Sequence, residues 1–128
     1  MTSYTQSDGL PGDGIRSMHQ DIWGNIWIAS SGSANVVKYS SGNFESVSLS
    51  TGLSIEFVNS IASDNNGNVW FGLLYWGSIK YNGSLMKSYT VKDGLPDKSV
   101  MKILKDKHGY LWFGTMNGGV AKYMPDLN

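Results

Sequence analysis

The sequence contains no cysteine, which excludes disulfides, thiolate metal sites and cysteine nucleophiles. It also lacks an excess of either charge, because ten lysine and arginine residues balance ten aspartate and glutamate residues. We therefore expect no nucleic-acid partner, since a general nucleic-acid-binding protein has a basic surface. No apolar run approaches the roughly 18 residues of a membrane span, and the first residues lack the apolar core of a signal peptide. These absences predict a soluble chain without a membrane partner, and they leave its compartment open.

A repeat of about 42 residues runs through the whole chain. Each copy begins with the tripeptide D/T-G-L, at residues 8–10, 51–53 and 93–95. Three kinds of residue then recur at spacings of 42 or 43 positions, namely Trp27, Trp70 and Trp112, Asp21, Asp64 and Asp106, and Tyr39, Tyr81 and Tyr123. The agreement of three independent markers predicts three copies of one supersecondary unit.

Each copy contains strand-sized segments separated by turn residues, and helical periodicity is absent throughout. We predict first strands at residues 15–20, 58–63 and 100–105, and second strands at 25–30, 68–73 and 110–115. The predicted third strands are 36–39, 78–81 and 120–123. A fourth, more polar strand at 44–49 and 86–90 is typical of the outer edge of a blade, where polar side chains discourage stray pairing. The pattern predicts an all-β fold, a β-propeller with three four-stranded blades per chain.

The turn between the first and second strands has the sequence D-x-x-G in every copy. Its aspartate can accept hydrogen bonds from backbone N–H groups, and its glycine can adopt the left-handed conformation that reverses the chain. Asp64, Asn66 and Asn68 also resemble the start of a calcium-binding loop, but Val69 stands where that loop requires glycine. We therefore expect hairpin turns, with no metal and no cofactor.

Two of the copies carry motifs of a known family. Residues 64–72 read Asp-Asn-Asn-Gly-Asn-Val-Trp-Phe-Gly, residues 106–115 read Asp-Lys-His-Gly-Tyr-Leu-Trp-Phe-Gly-Thr, and Asp-Gly-Leu-Pro occurs at residues 8–11 and 93–96. These motifs closely resemble the two-component regulator propeller repeat, and the resemblance covers nearly the whole chain. It implies a module of a sensor propeller, usually seven-bladed and periplasmic, in hybrid histidine kinases. The resemblance thus implies periplasmic or extracellular sensing or binding, and no catalytic activity.

The two ends of the repeat array predict how its blades are completed. Residues 1–5 match the outer strand of blade two in their distance from the D-G-L tripeptide, so they are predicted to be an outer strand without its own blade. Blade one then covers about residues 8–49, blade two about 51–90 and blade three about 93–128, where the fourth strand is unfinished. We expect residues 1–5 of another copy to supply that strand through a head-to-tail contact. The predicted oligomer interface comprises Met1, Thr2, Ser3, Tyr4, Thr5, Tyr123 and Leu127.

Three blades leave two apolar faces open, whereas propellers typically close with four to eight blades. Two chains would give a six-bladed ring with two-fold symmetry, and three chains would give a nine-bladed ring. An excised fragment of a longer propeller is a further alternative. The sequence therefore predicts an assembly or binding module that is its own partner, with a homodimer favoured over a homotrimer.

Aromatic residues that only one copy carries are the candidates for ligand contact, because the repeated tryptophans are expected to pack between blades. Trp23 lies in the first D-x-x-G turn, and Tyr75 and Trp76 lie between the second and third strands of blade two. An aromatic pair can stack on a sugar ring or another planar ligand, or it can simply plug its own loop. Glu56 and Asn117 are predicted to border the same face. A sensor or lectin-like site for a glycan or small molecule is therefore the alternative function.

No convincing catalytic set is present in the sequence. His19 and His108 are the only histidines, and they are predicted to lie on a first strand and in a turn at the opposite face. No nucleophile with an adjacent base is visible. We predict that the chain is not an enzyme, and a lyase of the streptogramin-lyase type is the remaining enzyme alternative.

Overall fold

A computed structural model describes residues 1–32, 35–49, 55 and 57–125. Within these residues the chain forms three antiparallel sheets, which are the blades, and each blade has its strands in sequence order. Blade one contains β1 (Ile15–Gln20), β2 (Ile26–Ser30), β3 (Asn35–Ser40) and β4 (Asn43–Ser48). Blade two contains β5 (Val58–Ser63), β6 (Val69–Leu73), β7 (Ser78–Tyr81) and β8 (Met86–Tyr89). Blade three contains β9 (Val100–Lys105), β10 (Leu111–Thr115) and β11 (Val120–Tyr123).

The structure confirms the all-β fold and its antiparallel blades. The first strands have the predicted bounds, whereas the second strands begin one residue later than predicted. The reason is that Asn25, Asn68 and Tyr110 still belong to the turns, where their carbonyl groups accept hydrogen bonds from the turn aspartates. Blade three has three strands among the described residues, and the predicted start of blade two at residues 51–53 lies outside them.

The D-x-x-G turns are built around the aspartate carboxylate. In blade two, Asp64 Oδ1 accepts the backbone N–H groups of Asn66 and Asn68 at 2.9 and 3.0 Å. Its Oδ2 accepts the side chains of Asn68 and Trp70, both at 2.9 Å. Gly67 has a φ of 88°, the left-handed conformation that the reversal requires. Four donors occupy the lone pairs of this buried carboxylate, so it has none left for a calcium ion.

Neighbouring blades bury their apolar faces against each other. Trp27 of blade one lies edge-on to Phe71 of blade two, with ring centroids 5.6 Å apart. Trp70 of blade two meets Phe113 of blade three at the same distance. The side chains around each pair form one of two apolar cores, one per blade junction. Burying a large apolar side chain contributes about 1.5–3 kcal/mol, so these junctions account for much of the stability.

The residues before blade one repeat the geometry that links blade two to blade three. A 3₁₀ turn follows in both places, and the backbone N–H of Thr5 donates to Asp8 Oδ2 at 2.8 Å. The backbone N–H of Thr90 donates to Asp93 Oδ2 at the same distance. The sequence M-x-S-Y-T precedes both turns. Residues 1–5 therefore share the sequence pattern and the following turn geometry of the outer strand β8, although they pair with no strand among the described residues.

The innermost strands β1, β5 and β9 lie side by side and form what we name the inner edge of the stack. At one end of this edge are the D-x-x-G turns, and at the other are the blade-linking loops and the turns between second and third strands. No helix within the described residues is long and apolar enough to cross a membrane.

Candidate functional site

Blade three exposes apolar side chains at positions that the other blades bury. Val120 is 66% exposed, whereas its equivalent in blade one, Val36, is fully buried. Leu104 is 58% exposed, whereas its equivalent Ala62 is buried. Trp112 is half-buried, although the two preceding tryptophans of the repeat are buried. Leu104, Trp112 and Val120 together define the open face of blade three, where the expected packing of the third tryptophan between blades is not complete.

Blade one has a matching open face at the other end of the stack. Met18 is 61% exposed, whereas its equivalents Ile61 and Ile103 are buried in the two junctions. Tyr39 also belongs to this face. We name Met18 and Tyr39 the open face of blade one.

At each of the two blade junctions, a tryptophan of one blade contacts a tyrosine of the next blade. Tyr81 receives Trp27 of the preceding blade at a centroid distance of 5.9 Å, and Tyr123 receives Trp70 at 5.6 Å. Among the described residues, Tyr39 has no tryptophan in that place. The ring of Tyr39 instead contacts that of Phe44, with centroids 4.8 Å apart.

Tyr4 occupies the place that an outer-strand tyrosine takes at a complete junction. Its ring lies 6.2 Å from Tyr39, and the ring of Tyr89 lies 5.9 Å from Tyr123. Tyr4 also lies edge-on to Phe44 at 5.3 Å. Tyr4 thus contacts blade one at a distance similar to that between Tyr89 of β8 and Tyr123 of blade three.

The predicted interface residues fall into two groups. Met1, Thr2, Ser3, Tyr4 and Thr5 form an exposed extended segment beside blade one. Tyr123 lies at the end of β11, half-buried against Trp70. These groups lie at opposite ends of the three-blade stack, and Leu127 lies outside the described residues.

Trp23 lies on the turn face of the first blade junction and is exposed. A methyl group added at Gly67, in the next D-x-x-G turn, would lie 3.0 Å from Ile22 Cδ1 and 3.5 Å from Trp23 Cζ2. In the same way, a methyl group at Gly109 would lie 2.5 Å from Asn65 Nδ2. Side chains of the first and second turns therefore pack against the glycine of the following turn, and Trp23 takes part in this packing between blades. Its expected role in ligand contact stays a prediction.

Tyr75 and Trp76 lie on the opposite face, in the turn between β6 and β7. Tyr75 has a φ of 71°, which is unusual for a residue other than glycine, and it is 55% exposed. Its N–H donates to Ser99 Oγ at 3.0 Å, and Lys98 Nζ lies 5.4 Å from its ring centroid. The N–H of Asn117 donates to Asp97 Oδ2 at 2.9 Å.

The structure thus brings the Tyr75–Trp76 turn against the loop that carries Lys98 and Ser99, and it places Asn117 beside the same loop. Glu56, the remaining predicted residue of this face, lies outside the described residues. Trp23 is separated from this group because it lies at the other end of the inner edge.

Two titratable groups near the inner edge, Asp21 and His19, have shifted pKa values. Partial burial tends to raise the pKa of Asp21, but hydrogen bonds from Trp27, Asn25 and the turn backbone outweigh it and hold the pKa below its ordinary value. His19 Nε2 lies 2.6 Å from Ser63 Oγ, and burial lowers the pKa of His19. The charge of Asp21 opposes this shift, whereas Lys105 and Lys102 reinforce it.

The described residues contain no cluster of three or more histidine, aspartate or glutamate side chains that could hold a metal ion. His108 lies in the third D-x-x-G turn and is exposed, whereas His19 lies within β1 with Ser63 as its partner. The structure therefore does not bring the two histidines together.

The sequence reasoning missed the three residues of the open face of blade three. The sequence predicts two open apolar faces without naming their residues, and it predicts that Trp112 packs between blades like the other repeated tryptophans. A usable signal is an apolar residue at an inter-blade position of a copy that no further described blade covers. Leu104 and Val120, apolar residues at inward-facing positions of the last copy, carry that signal.

Comparisons with solved structures show what the chain is similar to. An extracellular domain assigned to a hybrid two component system of B. thetaiotaomicron superposes with a TM-score of 0.78 at 25% identity, covering 99% of this chain and 18% of that one. An extracellular domain of a one component system from the same organism gives 0.71 at 18% identity, covering 95% and 17%. This chain therefore spans less than a fifth of either protein. A search of curated proteins finds no match.

A more distant similarity concerns the fold alone. A catalytically inactive virginiamycin B lyase from Staphylococcus aureus, solved with quinupristin, superposes with a TM-score of 0.65 at 16% identity, covering 92% of this chain and 44% of that one. At this identity the likeness supports the blade architecture and carries no chemistry to this chain.

The family comparison is more specific than the structural ones. The family model described as "Two component regulator propeller" matches residues 9–32, 52–74 and 94–117. The three matches coincide with the three copies of the repeat and cover more than half of the 128 residues. The chain belongs to the two component regulator propeller family.

Proposed function

We propose that this chain is a propeller module that closes a ring by head-to-tail association with a second copy of itself. The observation that supports the proposal is the position of Tyr4, which packs on Tyr39 as Tyr89 packs on Tyr123. An outer-strand segment is thus already seated beside blade one, while blade three has no fourth strand among the described residues. In the proposed dimer, residues 1–5 of each copy would supply the fourth strand of blade three in the other copy.

The pairing of blade two defines the register of the proposed contact. There Tyr89 lies opposite Ser78, and Met86 lies opposite Tyr81. By the same register, Tyr4 of one copy would lie opposite Val120 of the other, and Met1 opposite Tyr123. This pairing would give the outer edge of β11 a neighbouring strand, and an edge strand without one is a template for unspecific pairing.

The two open faces complement each other in shape and polarity. Trp112 would meet Tyr39 of the second copy, as Trp27 meets Tyr81 and Trp70 meets Tyr123. Met18 would take the place that Ile61 and Ile103 take in the existing junctions. The contact would bury apolar surface that a monomer exposes, at roughly 25 cal/mol per Å².

Two copies are the favoured number. A six-bladed ring lies within the usual range of four to eight blades, and a nine-bladed ring of three copies lies outside it. Because the contact is head-to-tail, the ring closes only if the rotation per chain is a whole fraction of a full turn. A two-fold ring would require a rotation of half a turn per chain.

Substitutions on blade three test the proposal. Val120→Arg places a charge on the open face without touching a buried position, so it should weaken association at least tenfold and leave the fold intact. Val91→Arg is the matched control, because Val91 is also exposed but lies in the 3₁₀ turn between blades two and three. Sedimentation velocity over a dilution series measures both variants. Equal association of the two variants would contradict the proposed contact.

Ligand binding at the Tyr75–Trp76 turn is a second candidate function. The positive φ of Tyr75 holds an exposed aromatic ring in a conformation that costs energy, and such outliers concentrate at functional sites. Lys98 over the same ring adds a cation beside the aromatic surface. A glycan or another small molecule with a flat face would suit this surface.

The ligand candidate is tested with a glycan array and a thermal-shift screen. Tyr75→Gly removes the ring and accepts the positive φ, so it should abolish saturable binding while the fold persists. Trp23→Ala removes an exposed aromatic ring on the opposite face and should leave binding unchanged. Binding that survives Tyr75→Gly, or that Trp23→Ala abolishes, would overturn this assignment.

The proposed setting of the module is outside the cytoplasm, as part of a sensor. This proposal draws on the extracellular domains to which the chain is similar. Fractionation of the native host with an antibody against this chain should detect it in the extracytoplasmic fraction. Detection in the cytoplasmic fraction alone would contradict the proposed setting.

A further inference from the structure

Bulges at equivalent positions of the three innermost strands place one side chain per blade at the rim of the inner edge. The β1–β2 register passes from Ile15 to Ser17 and skips Arg16. The β5–β6 register skips Asn59 in the same way, and the β9–β10 register skips Met101. Bulges re-aim side chains and are frequent at rims and next to functional sites. We name Arg16, Asn59 and Met101 the bulge row.

The bulge row is connected from blade to blade. Arg16 Nε donates to Asn59 Oδ1 at 3.2 Å, and Asn59 Nδ2 donates to the carbonyl of Val100 at 3.1 Å. The Arg16 guanidinium carbon lies 4.6 Å from the ring centroid of Phe57. Arg16 is therefore held by an amide on one side and an aromatic face on another. Its two terminal NH₂ groups donate to no residue that the structure describes.

A cavity of about 300 Å³ lies at this rim, and it is lined by Ile15, Arg16, Ser31, Asn59 and Met101. Among the described residues of this lining, Arg16 is the one cation and none is a carboxylate; Arg16 is also the only arginine in the sequence. Ser31 contributes a hydroxyl group, and Ile15 and Met101 contribute apolar surface. This open cavity thus combines the Arg16 guanidinium with a mostly polar lining, to which Ile15 and Met101 add a small apolar surface.

The repeat itself does not require an arginine at this position. The same bulge is made with asparagine in blade two and with methionine in blade three, so neither the turn of the chain nor the packing demands a guanidinium. A guanidinium matches a carboxylate with two parallel hydrogen bonds, and the remaining donors of Arg16 are available for such a pair. A polyanion would call for more than one cation in the lining.

We propose that the rim of the bulge row binds a small organic carboxylate. Arg16 holds the carboxylate through its terminal NH₂ groups, Asn59 is the positioning residue that orients the guanidinium, and the body of the ligand packs on Ile15 and Met101. The site is built from one chain and lies apart from the Tyr75–Trp76 turn. It therefore does not depend on ring closure.

Nuclear magnetic resonance with a matched pair of probes tests the proposal. Hexanoate and hexanamide have the same apolar body, and only hexanoate carries the negative charge. Because the sequence has a single arginine, its Nε–H resonance reports on Arg16 without ambiguity. Hexanoate should shift this resonance saturably and bind at least tenfold more tightly than hexanamide. Equal affinities, or tighter binding of inorganic phosphate than of hexanoate, would overturn the assignment.

Two variants complete the test. Arg16→Gln should weaken hexanoate binding about tenfold, while the indole N–H resonances of Trp27, Trp70 and Trp112 stay in place as a check on the fold. Arg16→Lys keeps the positive charge and removes the planar guanidinium, so it should also weaken hexanoate binding, but by less than Arg16→Gln. Unchanged affinity in either variant would contradict the proposed site.

Discussion

The ring of Tyr4 lies 6.2 Å from the ring of Tyr39, close to the 5.9 Å that separates Tyr89 from Tyr123. The second pair joins the outer strand of blade two to blade three, within one continuous stack. The first pair joins an outer-strand segment to blade one without a preceding blade among the described residues. The likeness of the two contacts is the basis of our proposal that residues 1–5 act as the outer strand of a neighbouring blade.

Replacing Tyr4 tests whether the contact between Tyr4 and Tyr39 contributes to self-association. Tyr4→Ala removes the ring that orients residues 1–5, so we expect self-association to weaken about tenfold or more. The folding of the three blades should change little because Tyr4 is exposed. Sedimentation velocity measures the first effect and urea denaturation the second. Undiminished association of the variant would show that the segment takes no part in the contact.

The repeated tryptophans should differ in their contribution to stability. Trp70→Phe removes one of the two donors to the buried Oδ2 of Asp64 and opens a cavity, so the free energy of unfolding should fall by about 2 kcal/mol. Trp112→Phe makes the same chemical change at a half-buried site. It should cost under about 1 kcal/mol in the monomer, measured by urea denaturation at low concentration. Equal losses would mean that the open face of blade three is covered.

The turn carboxylates should contribute according to their burial. Asp64→Asn replaces an acceptor oxygen with an NH₂ group that faces other donors, and we expect it to lower the free energy of unfolding by about 2–3 kcal/mol. Asp106→Asn disturbs an equivalent set of bonds in a more solvated turn and should cost less. Thermal unfolding of both variants compares them. A larger loss from Asp106→Asn would contradict the role given to burial.

His19 should make stability depend on pH. Burial lowers its pKa from 6.5, so the unfolded chain binds a proton more readily than the folded one. This contribution to stability is complete above pH 6.5 and is lost as the pH falls through the lower pKa of the folded state. Lys102 and Lys105, which disfavour the charged imidazole, strengthen the effect, and Asp21 opposes it.

The variant His19→Gln keeps a hydrogen-bonding group opposite Ser63 and removes the titration. Urea denaturation from pH 7.5 down to pH 5 should show a decline for the unchanged chain and a flatter profile for the variant. Parallel profiles would rule out His19 as the cause.

Much of the fold followed from the spacing of Trp, Asp and Tyr markers, because a repeat forces equivalent residues into equivalent places. The bounds of the first strands were predictable for the same reason, whereas the bounds of the second and fourth strands differ from the prediction by one residue. The exposure of Trp112 was not predictable, because a repeat spacing indicates the face on which a side chain lies and does not indicate what covers that face. The bulge row was also missed. Arg16, Asn59 and Met101 share no chemistry, so nothing in the repeat marks them until the strand register does.

The candidate ligand residues were only partly predictable. Tyr75 and Trp76 could be placed on one face because the turn between second and third strands has a fixed position in a blade. Trp23 is also an aromatic residue that only one copy carries, yet it lies close to Gly67 because consecutive turns pack against each other. Such a contact depends on the angle between blades, which a single copy of the repeat does not encode.

The molar mass in solution, measured by sedimentation equilibrium over a wide range of concentrations, tests the central claim of ring closure most directly. The account predicts a species of twice the 14.0 kDa chain mass, which dissociates on dilution and which Val120→Arg shifts toward the monomer. A stable, folded monomer at every concentration would contradict it.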